Sequence, residues 1–175
     1  MQVRKGIRLL RKANAIVLAL LILFLFVGNA FAEKQVVLTF LGDCTIGGED
    51  PLVNKPDSFA KVAEREGYAY FFAKVEPLIA QDDLTIANFE GVLKNDKNGK
   101  SNKRYCFRGL PAYAEILKLG SVEAVNLANN HSRDYDLVGY HATWDALVAG
   151  GVQPFSTTQP YLIDCKGVTV AVVGI

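Results

Sequence analysis

The chain has 175 residues, 50% of them hydrophobic, with 19 basic and 18 acidic side chains. Five of the basic residues and none of the acidic ones precede residue 33, so the remainder holds 14 basic against 18 acidic residues, a net charge of −4. That balance argues against a general binder of nucleic acid or of anionic membranes, which needs a basic surface; the 143 residues from Glu33 to Ile175 amount to one domain.

Residues 1–32 read as a targeting segment. Arg4, Lys5, Arg8, Arg11 and Lys12 precede an apolar run of thirteen residues, Ala15–Val27, and Ala30-Phe31-Ala32 places small residues where a signal peptidase reads. A basic n-region, a short h-region and an A-x-A site make a secretory signal. The twenty uncharged residues from Ala13 to Ala32 are equally long enough to stay as a membrane anchor, its start held on the cytoplasmic side by the cations. Either way the expected location is extracytoplasmic, secreted or membrane-anchored.

Beyond the leader, QVVLTFLGD (Gln35–Asp43) is a β-branched apolar run closed by Gly-Asp, a buried strand. Residues 44–70 are irregular, broken by Gly47, Gly48, Pro51 and Pro56. Phe71, Phe72, Val75, Leu78 and Ile79 have helical spacing, with Pro77 kinking or restarting the helix. DLTIANFEG is a second strand ending at Asn88 and Glu90. The polar stretch Lys94–Arg104 sets five cations against Asp96 and has the composition of a mobile surface segment. Pro111 opens a helix that Gly120 stops, VEAVNLA is a third strand, and Leu137, His141, Trp144, Leu147 and Val148 mark a further amphipathic helix ended by Gly150-Gly151. Asp136 is assigned as its N-cap and His141 to packing on its apolar face. The last stretch, YLIDCKGVTVAVVGI, reads as two strands turning at Lys166-Gly167, and its apolar end suggests a fragment of a longer protein. Cys44, Cys106 and Cys165 could form one disulfide with one thiol left over in an exported chain, but their spacing fits no disulfide scaffold and favours three buried thiols.

Strands alternating with helices specify an α/β fold with a largely parallel sheet covered on both faces, and ligands sit at the carboxyl ends of such strands. Three strands end in polar groups: Gly42-Asp43, Asn88-Phe89-Glu90 and Asn129-Asn130-His131. Each has a structural reading of its own: Asp43 as a turn residue, Asn88 and Asn130 as partners of loop backbone, His131 as a hydrogen-bonded structural histidine. Their convergence on one sheet edge favours a site. Asp43, Glu90, Asn130 and His131 offer two carboxylates, an amide oxygen and an imidazole, a set suited to a divalent cation such as Mn, Fe or Zn, with His131 free for acid–base work. GDCTIGG matches neither glycine-rich nucleotide motif, and a Cys44–His131 nucleophile pair has no further support.

The segments LTFLGDCTIGG, DLTIANFEGVL, AVNLANNHSRDYD and GVTVAVVGI resemble, in order and spacing, the bacterial capsule-synthesis family of the CapA type, poly-gamma-glutamate biosynthesis proteins related in fold to calcineurin-like metallophosphoesterases. The resemblance implies a metallophosphatase-like α/β sandwich of four layers, incomplete here at its C-terminal end. It implies Asp43, Glu90 and Asn130 as metal ligands, His131 as the catalytic histidine and Asp134 as the group that orients it. Asn88 and Arg108 become candidates for touching substrate, Arg108 either pairing with a carboxylate or phosphate or standing as a surface arginine. The sequence departs from the phosphoesterases: no histidine follows Asp43 in a D-x-H, Glu90 replaces an aspartate, and His131 and His141 are the only histidines, too few for a two-metal centre. The implied function is capsule or poly-gamma-glutamate biosynthesis, acting on an anionic cell-envelope polymer, alongside synthase or exporter subunits. A non-catalytic tethered scaffold and a small-molecule phosphoesterase are the alternatives.

Overall fold

The computed structural model describes residues 34–175, together with residues 14 and 16–18, which are helical. The targeting segment read in residues 1–32 lies, but for those four, outside the described residues. The chain divides into two units, Met1–Gln35 and Val36–Ile175, and the second carries the architecture described below. Among the described residues no helix is long and apolar enough to cross a membrane.

In chain order the elements are β1 (Leu38–Cys44), α1 (Phe59–Glu66), α2 (Glu76–Ile79), β2 (Leu84–Phe89), β3 (Val92–Leu93), β4 (Arg108–Gly109), α3 (Ala114–Leu119), β5 (Ala124–Asn126), α4 (Asp136–Ala149), β6 (Gln153–Phe155), β7 (Tyr161–Cys165) and β8 (Val168–Val172). Local chemistry sets the helix ends. Ser58 caps α1 by accepting from the Lys61 N–H at 3.3 Å, and Gly67 stops it at φ 80°. Pro111 opens a 3-10 turn that leads into α3, and Gly120 closes α3 with Phe72 packed where a side chain would stand.

Strands β1, β2, β5 and β6 form one parallel sheet in the order β1-β2-β5-β6. The two-residue alternation of β2 decides what each face buries. Ala87 and Phe89 turn to the helical side and join Ile116, Leu117, Val125 and Leu147 in the main core. Leu84 and Ile86 turn the other way and pack with Ala124, Phe155 and Cys165 against the antiparallel β7–β8 hairpin. Burial of Leu84 and Phe89, both 0% exposed, stabilises the fold by about 1.5–3 kcal/mol each. The sheet is thus covered on both faces, by helices on one and by the hairpin on the other. Lys166 and Gly167 turn that hairpin with φ of 56° and 77°, where the sequence placed the turn.

Pro77 restarts the helical stretch, as one of its two readings had it: a 3-10 turn over Tyr68–Phe71 ends, and Pro77 sits in the first turn of the separate α2. Two local expectations need correction. Asp136 is not a side-chain cap; it begins α4 at φ 57°, and Tyr135 stands at the cap position with no side-chain bond. His141 is exposed rather than packed, because the buried stripe of α4 is Gly139, Thr143 and Leu147. The cationic stretch 94–104 is also anchored: Lys94 is 4% exposed and paired with Asp96, and the Ser101 N–H donates to the Asp134 carbonyl at 2.9 Å. All three cysteines are free thiols, and Cys106 and Cys165 are buried.

Candidate functional site

The register of the sheet brings the first residues together. Asp43 pairs with Asn88, and Asn88 with Asn126, so the three stand side by side at the carboxyl ends of β1, β2 and β5. A one-residue bulge makes this possible. Phe40 pairs with Ile86 but Asp43 with Asn88, so β1 uses three residues where β2 uses two. In an unbroken strand Asp43 would point to the face opposite Phe40; the bulge around Gly42 restores it to the face that Asn88 and Asn126 share.

Asn88 is the centre of this row. Its Nδ2 donates to Asp43 Oδ1 at 2.8 Å and to Glu90 Oε1 at 3.5 Å, while its Oδ1 accepts from Asn126 Nδ2 at 3.2 Å and Asn129 Nδ2 at 3.1 Å. The carboxylates only accept and the flanking amides donate, which assigns the orientation of the Asn88 amide. Asn129 continues the chain of bonds: its Nδ2 also donates to the Phe89 carbonyl at 2.8 Å, and its Oδ1 accepts the N–H groups of His131 at 3.0 Å and Ser132 at 2.9 Å. One asparagine side chain therefore ties the strand-end row to the turn that carries the histidine.

His131 and Asp134 form a pair three residues apart, with His131 Nδ1 2.8 Å from Asp134 Oδ2. Asp134 is fully buried. The same Oδ2 accepts the Phe107 N–H at 2.8 Å, and Oδ1 accepts Lys103 Nζ at 3.1 Å. With the carboxylate accepting on both oxygens, Nδ1 of His131 is the donor and Nε2 is the ring nitrogen left outside the bond to Asp134. The Phe107 ring lies against the imidazole, centroids 4.5 Å apart, and fixes its plane.

Behind this pair, Arg108 is bound rather than free. Its Nε and Nη2 reach Asp50 Oδ1 at 3.0 and 2.6 Å, and its Nη1 takes the carbonyls of Lys94 at 2.8 Å and Asn95 at 3.1 Å. The second Asp50 oxygen accepts the Tyr135 hydroxyl at 2.7 Å. Burial alone would raise the Asp50 carboxyl; the hydrogen bonds from Tyr135 and Arg108 outweigh it and hold the group below the usual carboxylate range. Burial and the Asp50 bond push the Tyr135 phenol well above its ordinary value. Since Arg108 follows Phe107 and Tyr135 follows Asp134, this buried cluster pins both segments that hold His131.

The structure thus gathers Asp43, Asn88 and Glu90 directly, joins His131 and Asp134, and links the two groups through Asn129. Asn130 is exposed, its carbonyl taken by the Lys103 ammonium. Asn126, Lys103 and Phe107 were not singled out from the sequence, and Asn129 was named in the third strand-end cluster without a role of its own. Asn126 carries a periodicity signal, since it repeats the face of Ala124; Asn129 differs from Asn130 only in turn geometry. Cys44 lies next to Asp43, but burial first and the Asp43 charge second push its thiol up, away from the thiolate a nucleophile needs.

Asp43 and Glu90, either side of one amide nitrogen, are the oxygen donors a hard divalent cation prefers. Among the described residues no group of three His, Cys, Asp or Glu is gathered around a metal-sized space. The donor set fits such an ion in kind and falls short of a coordination shell in number.

Comparison with known proteins places the chain in a family. Residues 37–175 match the family model described as bacterial capsule synthesis protein PGA_cap. The chain belongs to this family. Within it, the chain is 26% identical to the PGA biosynthesis protein CapA of Bacillus subtilis (strain 168), over 93% of this chain and 44% of that protein. It is 27% identical to the capsule biosynthesis protein CapA of Bacillus anthracis, over 61% of this chain and 25% of that protein. The chain therefore spans less than half the length of these capsule-synthesis relatives. Their names speak of the biosynthesis of capsule and PGA, which agrees with the resemblance drawn from the strand-end motifs.

Proposed function

We propose that the protein acts outside the cytoplasmic membrane in making an anionic capsule polymer of the poly-gamma-glutamate type, through a metallophosphatase-like site at the strand ends. The observation that carries the reading is the buried Asp134 carboxylate 2.8 Å from His131, tied through Asn129 to the Asp43–Asn88–Glu90 row. Export is supported by the basic, apolar and A-x-A pattern of residues 1–32.

In this reading His131 is the proton-transfer group. Its Nδ1–H donates to Asp134, so Nε2 accepts a proton from water or a substrate hydroxyl and returns it to a leaving group. The buried Asp134 stabilises the imidazolium that forms, and Phe107 keeps the ring from turning. Asp43 and Glu90 would hold a divalent ion, which when bound supplies Lewis acidity; further donors are required, and no step is assigned through the ion. Asn88 orients both carboxylates by donating to them, and Arg108 keeps the histidine turn in place from behind.

The test uses the full-length protein in a polymer-producing cell. His131→Ala is expected to lower polymer output by about 10² or more while the protein still folds and reaches its location. Wild-type output from that variant would favour the scaffold reading, for which the exposed cations of the 97–104 segment are the supporting feature. Metal content measured on the same protein and on Asp43→Ala decides whether an ion is held.

A further inference from the structure

The two oxygens of the buried Asp134 carboxylate have separate tasks. Oδ2 meets His131 Nδ1 and the Phe107 N–H, both at 2.8 Å, while Oδ1 accepts from Lys103 Nζ at 3.1 Å. Among the described residues Lys103 is the only lysine or arginine within ion-pair distance of this carboxylate. The lysine side chain is 41% exposed and that of the aspartate 0%. A pair of exposed charges contributes little to a fold, but a buried carboxylate that loses its cation is strongly disfavoured. The same ammonium takes the Asn130 carbonyl. One cation therefore spans the turn, from the residue before His131 to the acid that the imidazole meets.

The chain around Lys103 holds it in that place. Gly99 has φ 79°, and a side chain on it would stand 2.8 Å from the Tyr135 carbonyl, so the stretch passes close over the entry to α4. The Ser101 N–H donates to the Asp134 carbonyl at 2.9 Å. The buried Cys106 thiol lies 3.8 Å from the Ser101 carbonyl and 3.7 Å from that of Lys103, which folds residues 101–106 into a short arch. Lys103 thus reaches Asp134 from a fixed backbone.

We infer that Lys103 is a positioning residue: by holding Oδ1 it turns Oδ2 of Asp134 to His131 and so sets the plane of the imidazole. Its importance for a reaction rests on the proton-transfer role proposed for His131; its effect on the ring rests on the contacts alone. Without the cation, Oδ1 is left buried with no donor. Asp134 then turns toward water or shares the imidazole between its two oxygens, and the bond to His131 loses its single geometry.

The test is NMR of the full-length protein, following exchange of the His131 Nδ1 proton with water, the signal being identified by its loss in His131→Gln. Lys103→Met is expected to speed that exchange roughly tenfold, and Lys103→Arg, which keeps the charge and its donors, to stay within about threefold of the unmodified protein. Asp134→Asn removes the buried charge, so adding Lys103→Met to it is expected to change the exchange no further. That pair carries the test where Lys103→Met alone does not fold. Unchanged exchange in Lys103→Met, or a further change on the Asp134→Asn background, overturns the inference and leaves the proposed function standing. Faster exchange that Lys103→Arg does not restore makes Lys103 a packing residue and also overturns it. Polymer output is the separate readout, expected to fall about tenfold in Lys103→Met. Output lost in His131→Ala but kept in Lys103→Met overturns the part of Lys103 in the reaction. Faster exchange in Lys103→Met with output kept in both variants overturns the proposed function and leaves Lys103 as the residue that sets the ring.

Discussion

Asn129 does more for this site than its place in the sequence suggests. Its amide nitrogen holds Asn88 and the Phe89 carbonyl, and its oxygen holds the His131 and Ser132 N–H groups. Asn129→Ala leaves these groups unmet and is expected to lower stability by about 1–3 kcal/mol, measured by denaturant unfolding. Asn129→Asp keeps the acceptor and loses the donor, so it recovers part of that loss. A second residue-scale prediction concerns pH. The Asp50 carboxyl is lowered, so the stability it contributes is complete above the ordinary carboxylate value of about 4 and is lost as pH falls below it. The Tyr135 phenol is raised, so its contribution is complete below its ordinary value of about 10 and is lost as pH rises above it. Stability is thus expected to form a plateau between these limits, and Tyr135→Phe removes the alkaline decline that Tyr135 causes. Thermal unfolding across pH checks both limbs. At this scale the sequence was partly legible: Asp43, Glu90 and His131 declared themselves by residue type after strand ends, whereas the role of Asp134 came only from the family resemblance. Asn129 and Asn130 are chemically identical neighbours, and only the turn that folds one of them back onto Asn88 separates their roles.

Among the elements, α4 shows how a polar atom can decide packing. Thr143 is 1% exposed; its hydroxyl donates to the Gly139 carbonyl at 2.7 Å and accepts the Leu93 N–H at 2.8 Å. Thr143→Val keeps the volume and leaves the β3 N–H buried without a partner, an expected loss of about 1–3 kcal/mol by chemical denaturation. Close approach sets another contact. A side chain at Gly174 would stand 2.2 Å from Asn126 Oδ1 and 2.5 Å from the Ala128 Cβ, so the exit of the β7–β8 hairpin passes directly over the strand-end row. Gly174→Val is expected to displace Asn126 and to lower the melting temperature, with Gly67 substitutions in open space around α1 as the comparison for purely conformational strain. The strands and their carboxyl-end polarity were legible because period-two burial and terminal Asp and Asn leave a mark in the sequence. The β1 bulge was not, since Gly42 hints at a break without saying which face Asp43 regains. Nor was the start of α4: an aspartate before an apolar run reads as a cap, and only the backbone reveals Asp136 at positive φ.

For the whole molecule, the parallel sheet explains why residues from three separated segments meet. Parallel strands point their carboxyl ends the same way, so each crossover delivers its next polar turn to one edge. Covering of both faces was legible from the alternation of strands and helices, whereas the hairpin as the second cover was not, because β8 is as apolar in sequence as a core strand while lying largely exposed. The central claim is that the strand-end carboxylates and the His131–Asp134 pair act as one site. The direct measurement is polymer output from the full-length protein carrying His131→Ala, Asp43→Ala, or both. Residues that work as a unit are not additive. Each single variant is therefore expected to lose about 10² or more in output, and the double variant to do no worse than the weaker single. Wild-type output from either single variant, or losses that multiply in the double, would contradict it.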